Sequence, residues 1–331
     1  MANHISINEF DIIFISFDEP NADENYADLL DKCPWAKRSH GVFGSDAAHK
    51  AAADLAETDR FITIDADNIV DPAFLSVDVD MDAIGAMDVI SWAGKNVING
   101  LVYGNGGIKC WPKRVVYGMK THENAPEGDK RAQVDFCWNI NYVQMNNIYC
   151  DVMNNGSPLQ AWRAGFREGV KMGLIDGDVV PKEQLKNVHK KNYQRLLTWM
   201  TVGEDTDNGL WAIYGARLGC HMTNITRNEW DWRNVRDFRY LTKMFETEIA
   251  PKFIGEADQL CSRTGYRWDN KLLKQATLEL GVDIRRKLDL EIADIGIEGS
   301  EFFKTVYINP SRLGAQIRED QVEDKLEKGH K

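Results

Sequence analysis

The pattern of apolar and polar positions opens with Phe10-Asp11-Ile12-Ile13-Phe14-Ile15-Ser16-Phe17, a nearly continuous apolar run. Such a run fits a strand covered on both faces. It ends in a turn at Asp18-Glu19-Pro20-Asn21, and polar residues through Asn25 lead to a short helix near Tyr26 to Leu30. Trp35-Ala36-Lys37-Arg38 adds positive charge, and Val42-Phe43 reads as a short second strand. Ser45 or Asp46 can cap an alanine-rich helix from Ala47 to Ala56. Next, Phe61-Ile62-Thr63-Ile64 runs straight into Asp65-Ala66-Asp67, and Pro72 stops any longer extended run. This β-α-β-α-β order predicts an α/β fold with Asp65 and Asp67 at the C-terminal end of a central parallel strand. Ligands bind at that edge of open α/β sheets, and hard carboxylate oxygens there suit a divalent cation bridging phosphates.

Further on, Asp88-Val89-Ile90-Ser91-Trp92 reads as a strand, and Gly104-Asn105-Gly106-Gly107 fits a hairpin turn, a loop whose backbone approaches a ligand, or both. The chain turns polar from Lys120 to Arg131, with an exposed loop at Ala125 to Asp129, and then becomes mainly helical. Ser157 and Pro158 start a helix with Leu159, Trp162, Phe166 and Val170 on one face and Arg163, Arg167 and Lys171 on another. Pro181 opens a second, in which Leu185, Val188, Leu197 and Met200 pack while Lys182, Lys186 and Lys190 line up outside. Helices follow after Glu246, including Leu272 to Ala276, and Arg318 to Lys331 reads as a charged tail, helical and solvated or disordered.

Composition narrows the class. With 331 residues, 43% hydrophobic and 10% aromatic, the chain suits one large soluble α/β domain or two ordinary ones. No apolar run approaches the roughly 18 to 20 residues of a membrane span, and Met1-Ala2-Asn3-His4 lacks a signal-peptide start, so a cytoplasmic location is expected. The six cysteines never fall in a Cys-x-x-Cys arrangement, which argues for reduced core thiols over a zinc site. A net charge of −11 opposes indiscriminate nucleic-acid binding but leaves room for a local basic surface. In so acidic a chain Asp-x-Asp also recurs, at Asp78, Asp80, Asp176 and Asp205; only the copy at Asp65 follows a clean hydrophobic strand.

The second informative stretch is Val202 to Leu218. Thr206 or Asp205 can cap a helix whose buried stripe is Leu210, Trp211, Tyr214 and Leu218, so Glu204 and Asp205 sit at its positive end. Two acids directly after Gly203 point to a general base for a hydroxyl.

In order, these features are a β-α-β-α unit, Asp65-Ala66-Asp67 at a strand end, the Gly104 to Gly107 loop, and Gly203-Glu204-Asp205 at a helix start. The series resembles the GT-A class of nucleotide-sugar glycosyltransferases over roughly residues 10 to 225. Asn99-Gly100-Leu101-Val102-Tyr103-Gly104 and Gly165-Phe166-Arg167-Glu168-Gly169-Val170-Lys171 look more particularly like phage-encoded glycosyltransferases, some of which decorate hydroxymethylated pyrimidines in DNA. The resemblance implies a Rossmann-like, mainly parallel mixed sheet flanked by helices, with a helical C-terminal extension. The nucleotide-sugar half would be 1–125, the acceptor-side half 126–245 and the extension with its tail 246–331. Asp65 and Asp67 would hold Mn2+ or Mg2+ on the donor diphosphate, Asp67 directly and Asp65 at the metal or ribose. His221, or failing that His122, would be a further metal ligand. Ser16, Phe17 and Asp18 would meet the base, and Gly104, Gly106, Gly107 and Lys109 would line the donor. Asp205, with Glu204 beside it, would deprotonate the acceptor in an inverting transfer; a phage-encoded enzyme would work in the host cytoplasm.

For the acceptor, Arg227, Trp230, Trp232, Arg233, Arg236, Phe238, Arg239 and Tyr240 interleave cations with aromatics. With Arg163 and Arg167 they could follow a phosphate backbone and stack on bases, and together with the resemblance to phage enzymes this leans towards double-stranded DNA with hydroxymethylated bases as partner. Glu229, Asp231 and Asp237 dilute the run, and an amphipathic helix with surface salt bridges explains it equally. A polysaccharide or protein acceptor remains open. So does a sugar nucleotidyltransferase, although Asp18-Glu19-Pro20-Asn21 stands where its glycine-rich, arginine-containing loop is expected. Ten tryptophans also keep a carbohydrate-binding or structural phage protein in view.

Overall fold

Alternation of side chains along the first apolar run explains its continuity. Ile12 and Phe14 pack into one buried cluster with Ile62, Ile64, Ile90 and Trp92, and Ile13 packs into another with Phe61, Val89 and Trp111. The strand is therefore apolar on both faces because each face has its own core. A computed structural model describes residues 3–103, 107–126, 128–130, 132–133, 136–137, 139–188, 190–226, 230–255 and 268–307. The chain forms two compact units, one from Met1–Ala125, Asp135–Met153 and Phe302–Lys331 and the other from Pro126–Val134 and Asn154–Glu301.

The first unit runs β1 (His4–Ser6), β2 (Asp11–Ser16), α1 (Ala22–Lys32), β3 (Lys37–His40), α2 (Ser45–Leu55), β4 (Arg60–Asp65), β5 (Asn68–Val70), β6 (Asp78–Asp80), β7 (Val89–Asn96), β8 (Val102–Tyr103), β9 (Lys109–Pro112), α3 (Lys113–Gly118) and β10 (Tyr142–Val152). The main sheet has the order β3-β2-β4-β9-β7-β10-β5, with β8 on β7, and β1 pairs β6 apart from it. The α/β class expected from the sequence is present. The sheet is mixed rather than mainly parallel: β2 is parallel to β3 and β4, and β10 to β7, but β9 enters antiparallel between β4 and β7, and β5 lies antiparallel on β10.

Three local expectations change. Val42-Phe43 is not a strand; Lys37–His40 is, because its polar side chains find partners at the sheet edge. Lys37 pairs with Asp11 at 3.0 Å and Glu57 at 2.9 Å, and the Arg38 guanidinium lies over the Phe14 and Tyr26 rings at 5.8 and 5.2 Å. Neither Ser45 nor Asp46 caps α2; both donate their backbone N–H to the Glu123 carboxylate, at 3.1 and 2.8 Å. A hairpin turn forms at Asn99-Gly100 between β7 and β8, with Gly100 at φ +72 and the Leu101 N–H bonded to Asn99 Oδ1. Gly104 and Gly106 lie outside the described residues, while Gly107 is a glycine because a Cβ there would stand 1.9 Å from the Trp92 carbonyl oxygen. The stretch beyond Arg131, expected to be mainly helical, contains the 11-residue strand β10, which shows no clean alternation, since its register against β7 shifts between Met145 and Ile148 and again before Asp151.

Asp11 ties the start of β2 to the turn before β4. Its Oδ2 accepts from the Glu57 and Thr58 N–H groups at 2.6 and 3.0 Å. Partial burial works against ionisation, but Lys37 and those N–H groups outweigh it and hold the carboxyl at about 2. A depressed carboxyl contributes stability that is present above its unfolded value and lost as pH falls through the folded one. Asp11→Asn should therefore cost about 2 kcal/mol in urea unfolding at neutral pH, and the gap to the parent should close as pH falls from 4 towards 2. A gap that stays constant across that window would assign the loss to shape instead of charge.

The second unit contains α4 (Pro158–Lys171), β11 (Leu174–Ile175), β12 (Asp178–Val179), α5 (Lys190–Trp199), α6 (Gly209–Asn224), α7 (Phe238–Met244), α8 (Asn270–Leu288) and α9 (Gly296–Tyr307, to Glu301 in this unit). Ser157 caps α4 as expected, accepting from the Gln160 N–H at 3.1 Å, and Trp162, Phe166 and Val170 are fully buried. The glycines of α4 and α6 form a close seam. A Cβ at Gly165 would meet the Ala212 carbonyl oxygen at 1.9 Å, one at Gly169 that of Ala216 at 2.1 Å, and one at Gly215 that of Trp162 at 2.3 Å. This spacing lets two helix backbones touch, so α6 is buried nearly all round. Of the expected stripe Trp211 and Tyr214 are buried, but Leu210 and Leu218 are among the more exposed residues of α6, while Arg217 is buried. The helix expected from Pro181 is also two pieces, a 3-10 turn at Lys182–Asn187 and then α5, which shifts the packed position from Leu197 to Leu196. Lys190 falls after that break, so the lysine stripe is not continuous. Among the described residues no helix is long and apolar enough to cross a membrane. The charged tail lies outside the described residues.

Candidate functional site

Asp65 ends β4 opposite Ile15 of β2, and the chain then crosses to β5 through Ala66 and Asp67. Backbone bonds fix this crossing. Asn25 Nδ2 donates to the Ala66 carbonyl at 2.8 Å, and the Met153 N–H donates to the Asp67 carbonyl at 2.5 Å. Both aspartate side chains are half-buried. No hydrogen bond or ion pair within the described residues ties down the Asp65 carboxylate.

Lys109 lies on β9 beside Thr63, two residues before Asp65, and its Nζ donates to the Gly107 carbonyl at 3.1 Å. His49 of α2 is buried in the same neighbourhood, between the rings of Trp111 and Phe136 at 5.5 and 5.2 Å. Its Nδ1 stands 2.8 Å from the Ser45 carbonyl, which can only accept, so Nδ1 carries the proton. Burial holds this imidazole below its ordinary value, against the pull of Asp65, while Lys109 acts with burial. Lys109 is felt also at Cys150, whose thiol burial pushes up to about 12 and where Asp67 and Asp151 raise it further. Asp65, Asp67 and Lys109 thus share one end of the sheet. His49, on the buried side of an alanine helix, carried no local signal in the sequence.

At the neighbouring end of β2, Ser16 Oγ accepts from Arg38 Nε at 2.8 Å and lies 2.9 Å from His40 Nδ1. The Phe17 N–H donates to Glu19 at 2.8 Å. The Phe17 and Phe43 rings meet edge-on at 5.8 Å and are 41% and 48% exposed, an aromatic pair in water. Asp18 is exposed. Phe43 was expected as a strand residue and stands instead beside Phe17.

In the second unit, Gly203 to Asn208 form a turn before α6. Asn208, in left-handed conformation at φ +57, is the N-terminal cap, so neither Asp205 nor Thr206 is used for capping. The Gly203 and Glu204 N–H groups donate to Ser300 Oγ at 3.1 and 3.3 Å. Glu204 is ion-paired with Lys274 at 2.5 Å, which commits it to a structural contact. Asn155 Nδ2 donates to the Asp207 carbonyl and Asn208 Nδ2 to the Asn155 carbonyl, at 3.1 and 2.9 Å. Asp205 stands half-buried in the middle of this framework.

His221 also belongs to the second unit. Its Nε2 is 2.8 Å from Asp283 Oδ2, and Lys287, with help from His221 and Arg286, holds that carboxyl far below the usual range despite partial burial. His122, in the first unit, is buried with its ring 5.9 Å from Phe136. The basic-aromatic run is not one helix. A 3-10 turn, Trp232–Arg236, precedes α7, and the two aspartates within the run are their caps: Asp231 accepts from the Arg233 N–H, and Asp237 from those of Arg239 and Tyr240. Arg163 and Arg167 of α4 both stack on Phe238, at 4.4 and 4.6 Å. Trp230 donates from Nε1 to the Tyr240 hydroxyl at 3.1 Å and packs edge-on to Phe166, while Arg233 pairs with Asp231 at 2.8 Å. Burial, and after it the neighbouring Arg233, lower Arg236, against the pull of Asp231. Arg227 lies outside the described residues.

Among the described residues, no three His, Cys, Asp or Glu side chains converge as a full metal-ligand set. The pair Asp65 and Asp67 fits the smaller demand of a hard cation that takes its remaining oxygens from a diphosphate and water. Comparisons with protein-family models, with curated proteins and with solved structures give no match.

Proposed function

We propose that the protein is a metal-dependent glycosyltransferase that moves a sugar from a nucleotide-diphosphate donor to an acceptor hydroxyl. The observation that carries this reading is the Asp65 and Asp67 pair, half-buried at the C-terminal end of a strand in an α/β sheet, with the Asp65 carboxylate left without a hydrogen bond among the described residues. Mn2+ or Mg2+, when bound there, neutralises charge on the leaving diphosphate. Lys109 adds a fixed positive charge at the same end of the sheet, and the Phe17 and Phe43 rings offer a face or an edge to a base. Asp205 takes the proton of the acceptor hydroxyl as the new bond to the anomeric carbon forms; Glu204 is left to its ion pair with Lys274. One base acting in one displacement gives inversion at the sugar. The acceptor is read as 5-hydroxymethylpyrimidine in DNA, for which the Arg163, Arg167 and Phe238 stack and its neighbouring arginines supply a basic, aromatic face.

The test is a panel of nucleotide sugars with Mn2+, alone and with DNA carrying 5-hydroxymethylcytosine, 5-hydroxymethyluracil or neither, read by nucleoside mass spectrometry. The expected result is slow hydrolysis of at least one donor and a mass increase confined to hydroxymethylated DNA. Modification of a polysaccharide or protein instead would remove the DNA acceptor and keep the transferase, while no turnover with any donor would sink the reading.

A further inference from the structure

The turn that holds Asp205 is fastened from the far end of the chain. Ser300 is fully buried, and its Oγ accepts from two consecutive backbone N–H groups, Gly203 and Glu204, across 97 and 96 residues of sequence. A buried N–H without an acceptor is costly, and here one hydroxyl satisfies two. Gly203 needs this anchor more than an ordinary residue does. It sits at φ +135, in a conformation open to glycine and to little else, and glycine has the most backbone freedom to lose on ordering. On the other side of the turn, a Cβ at Gly209 would stand 1.8 Å from the Gly203 carbonyl oxygen, so the peptide is wedged between α6 and Ser300. Lys274 of α8 holds the next side chain, Glu204. Asp205 follows these two fixed residues directly, so its backbone position is set by them.

We propose that Ser300 is the positioning residue for the Gly203-Glu204-Asp205 turn, so that the reactivity of Asp205 depends on α9 being seated against that turn. Ser300 acts through the backbone and touches no reacting atom. This rests on reading Asp205 as the base, and it adds a control: whatever frees the Gly203 and Glu204 N–H groups from Ser300 lowers turnover without weakening the donor site, whose residues lie in the first unit.

The test compares the full chain with Ser300→Ala and with Ser300→Cys, which keeps the volume and a weak acceptor, by amide hydrogen exchange and by donor hydrolysis. Exchange is read first because it is independent of any activity. Loss of the hydroxyl should speed exchange at Gly203 and Glu204 by about tenfold, while α4 and the core of α6 keep parental protection. For turnover, kcat should fall by about 10- to 100-fold with donor KM unchanged, because a displaced base loses alignment but not binding. Ser300→Cys should recover part of both effects. Parental exchange at Gly203 and Glu204 in Ser300→Ala overturns the proposal, as does parental kcat. A uniform rise in exchange across the second unit overturns it too, since it would mark a merely structural serine. If the parent protein hydrolyses no donor while local exchange behaves as expected, the anchoring stands and the transferase reading is what has failed.

Discussion

Asp67→Ala should lower nucleotide-sugar turnover by about 100- to 1000-fold, the usual effect of removing one well-placed charge from a reacting centre. The loss should come without loss of fold. The β4 to β5 crossing is held at two backbone carbonyls, by the Met153 N–H on that of Asp67 and by Asn25 on that of Ala66, and alanine keeps both bonds. The Asp67 side chain is half-buried at the sheet end and outside both core clusters of the unit, so its truncation opens no cavity in them. Metal dependence gives the effect a distinguishing mark. The concentration of Mn2+ needed for half-maximal rate should rise in Asp67→Ala and stay parental in Asp205→Asn, which should lose a comparable factor in kcat alone. Parental kcat/KM in both variants would remove the role assigned to each carboxylate, and a loss in Asp67→Ala with an unchanged metal requirement would remove its role as ligand.

The second large effect concerns stability. Arg217 is 2% exposed in the middle of α6, and every part of its guanidinium is used. Nε donates to the Met200 carbonyl at 2.8 Å, and the two terminal nitrogens donate to the carbonyls of Thr277 and Ala293 at 2.8 and 3.2 Å. Asp294 lies 2.7 Å away and is shared with Arg285 at 3.0 Å. Burial pulls the guanidinium below its ordinary value and Asp294 offsets only part of that pull; an arginine stays charged in such a site. The side chain thus joins α6, α8 and the segments around Met200 and Ala293. Gly281 of α8 is glycine because a Cβ there would stand 2.5 Å from the guanidinium. Arg217→Ala leaves the Met200, Thr277 and Ala293 carbonyls without this donor and Asp294 with Arg285 as its remaining cation, and should cost about 3 to 5 kcal/mol in urea unfolding of the second unit. Arg217→Lys should recover little, because a single ammonium cannot reach the same fork of acceptors. A loss below about 1 kcal/mol for Arg217→Ala would mean that water replaces the guanidinium, and that the site is less closed than its burial implies.

The elements that were legible in the sequence are those whose cause is local. The run at Ile12 to Ile15 and the run at Phe61 to Ile64 announced strands, since both sheet faces are covered. Ser157 and Pro158 announced α4 through a cap that needs only four residues to form. Asp65 and Asp67 therefore stood out among several Asp-x-Asp pairs by what precedes them.

Failures of sequence reading share one cause, a partner far along the chain. Glu123 caps a helix 77 and 78 residues away, and no residue near Ser45 reports that. The strand Lys37–His40 looked too polar until its partners at Asp11, Glu57, Phe14 and Tyr26 were in place. The helix at Gly209 was read as amphipathic because apolar spacing is counted along one helix, whereas its burial is set by α4 meeting it glycine to backbone. Its own sequence then conceals the charge it buries, Arg217.

What the sequence by itself determined is the α/β class, the strand that delivers Asp65 and Asp67, and the glycine-acid turn at Gly203 to Asp205, since each is a pattern of near neighbours acting through backbone propensity and hydrophobic period. Only the tertiary structure decided that β9 enters the sheet antiparallel, that Glu204 is held by Lys274, and that Ser300 holds the Gly203 and Glu204 amides. Those are contacts between residues tens to nearly a hundred positions apart, and they exist because a buried donor or charge must find a partner wherever the packed chain supplies one.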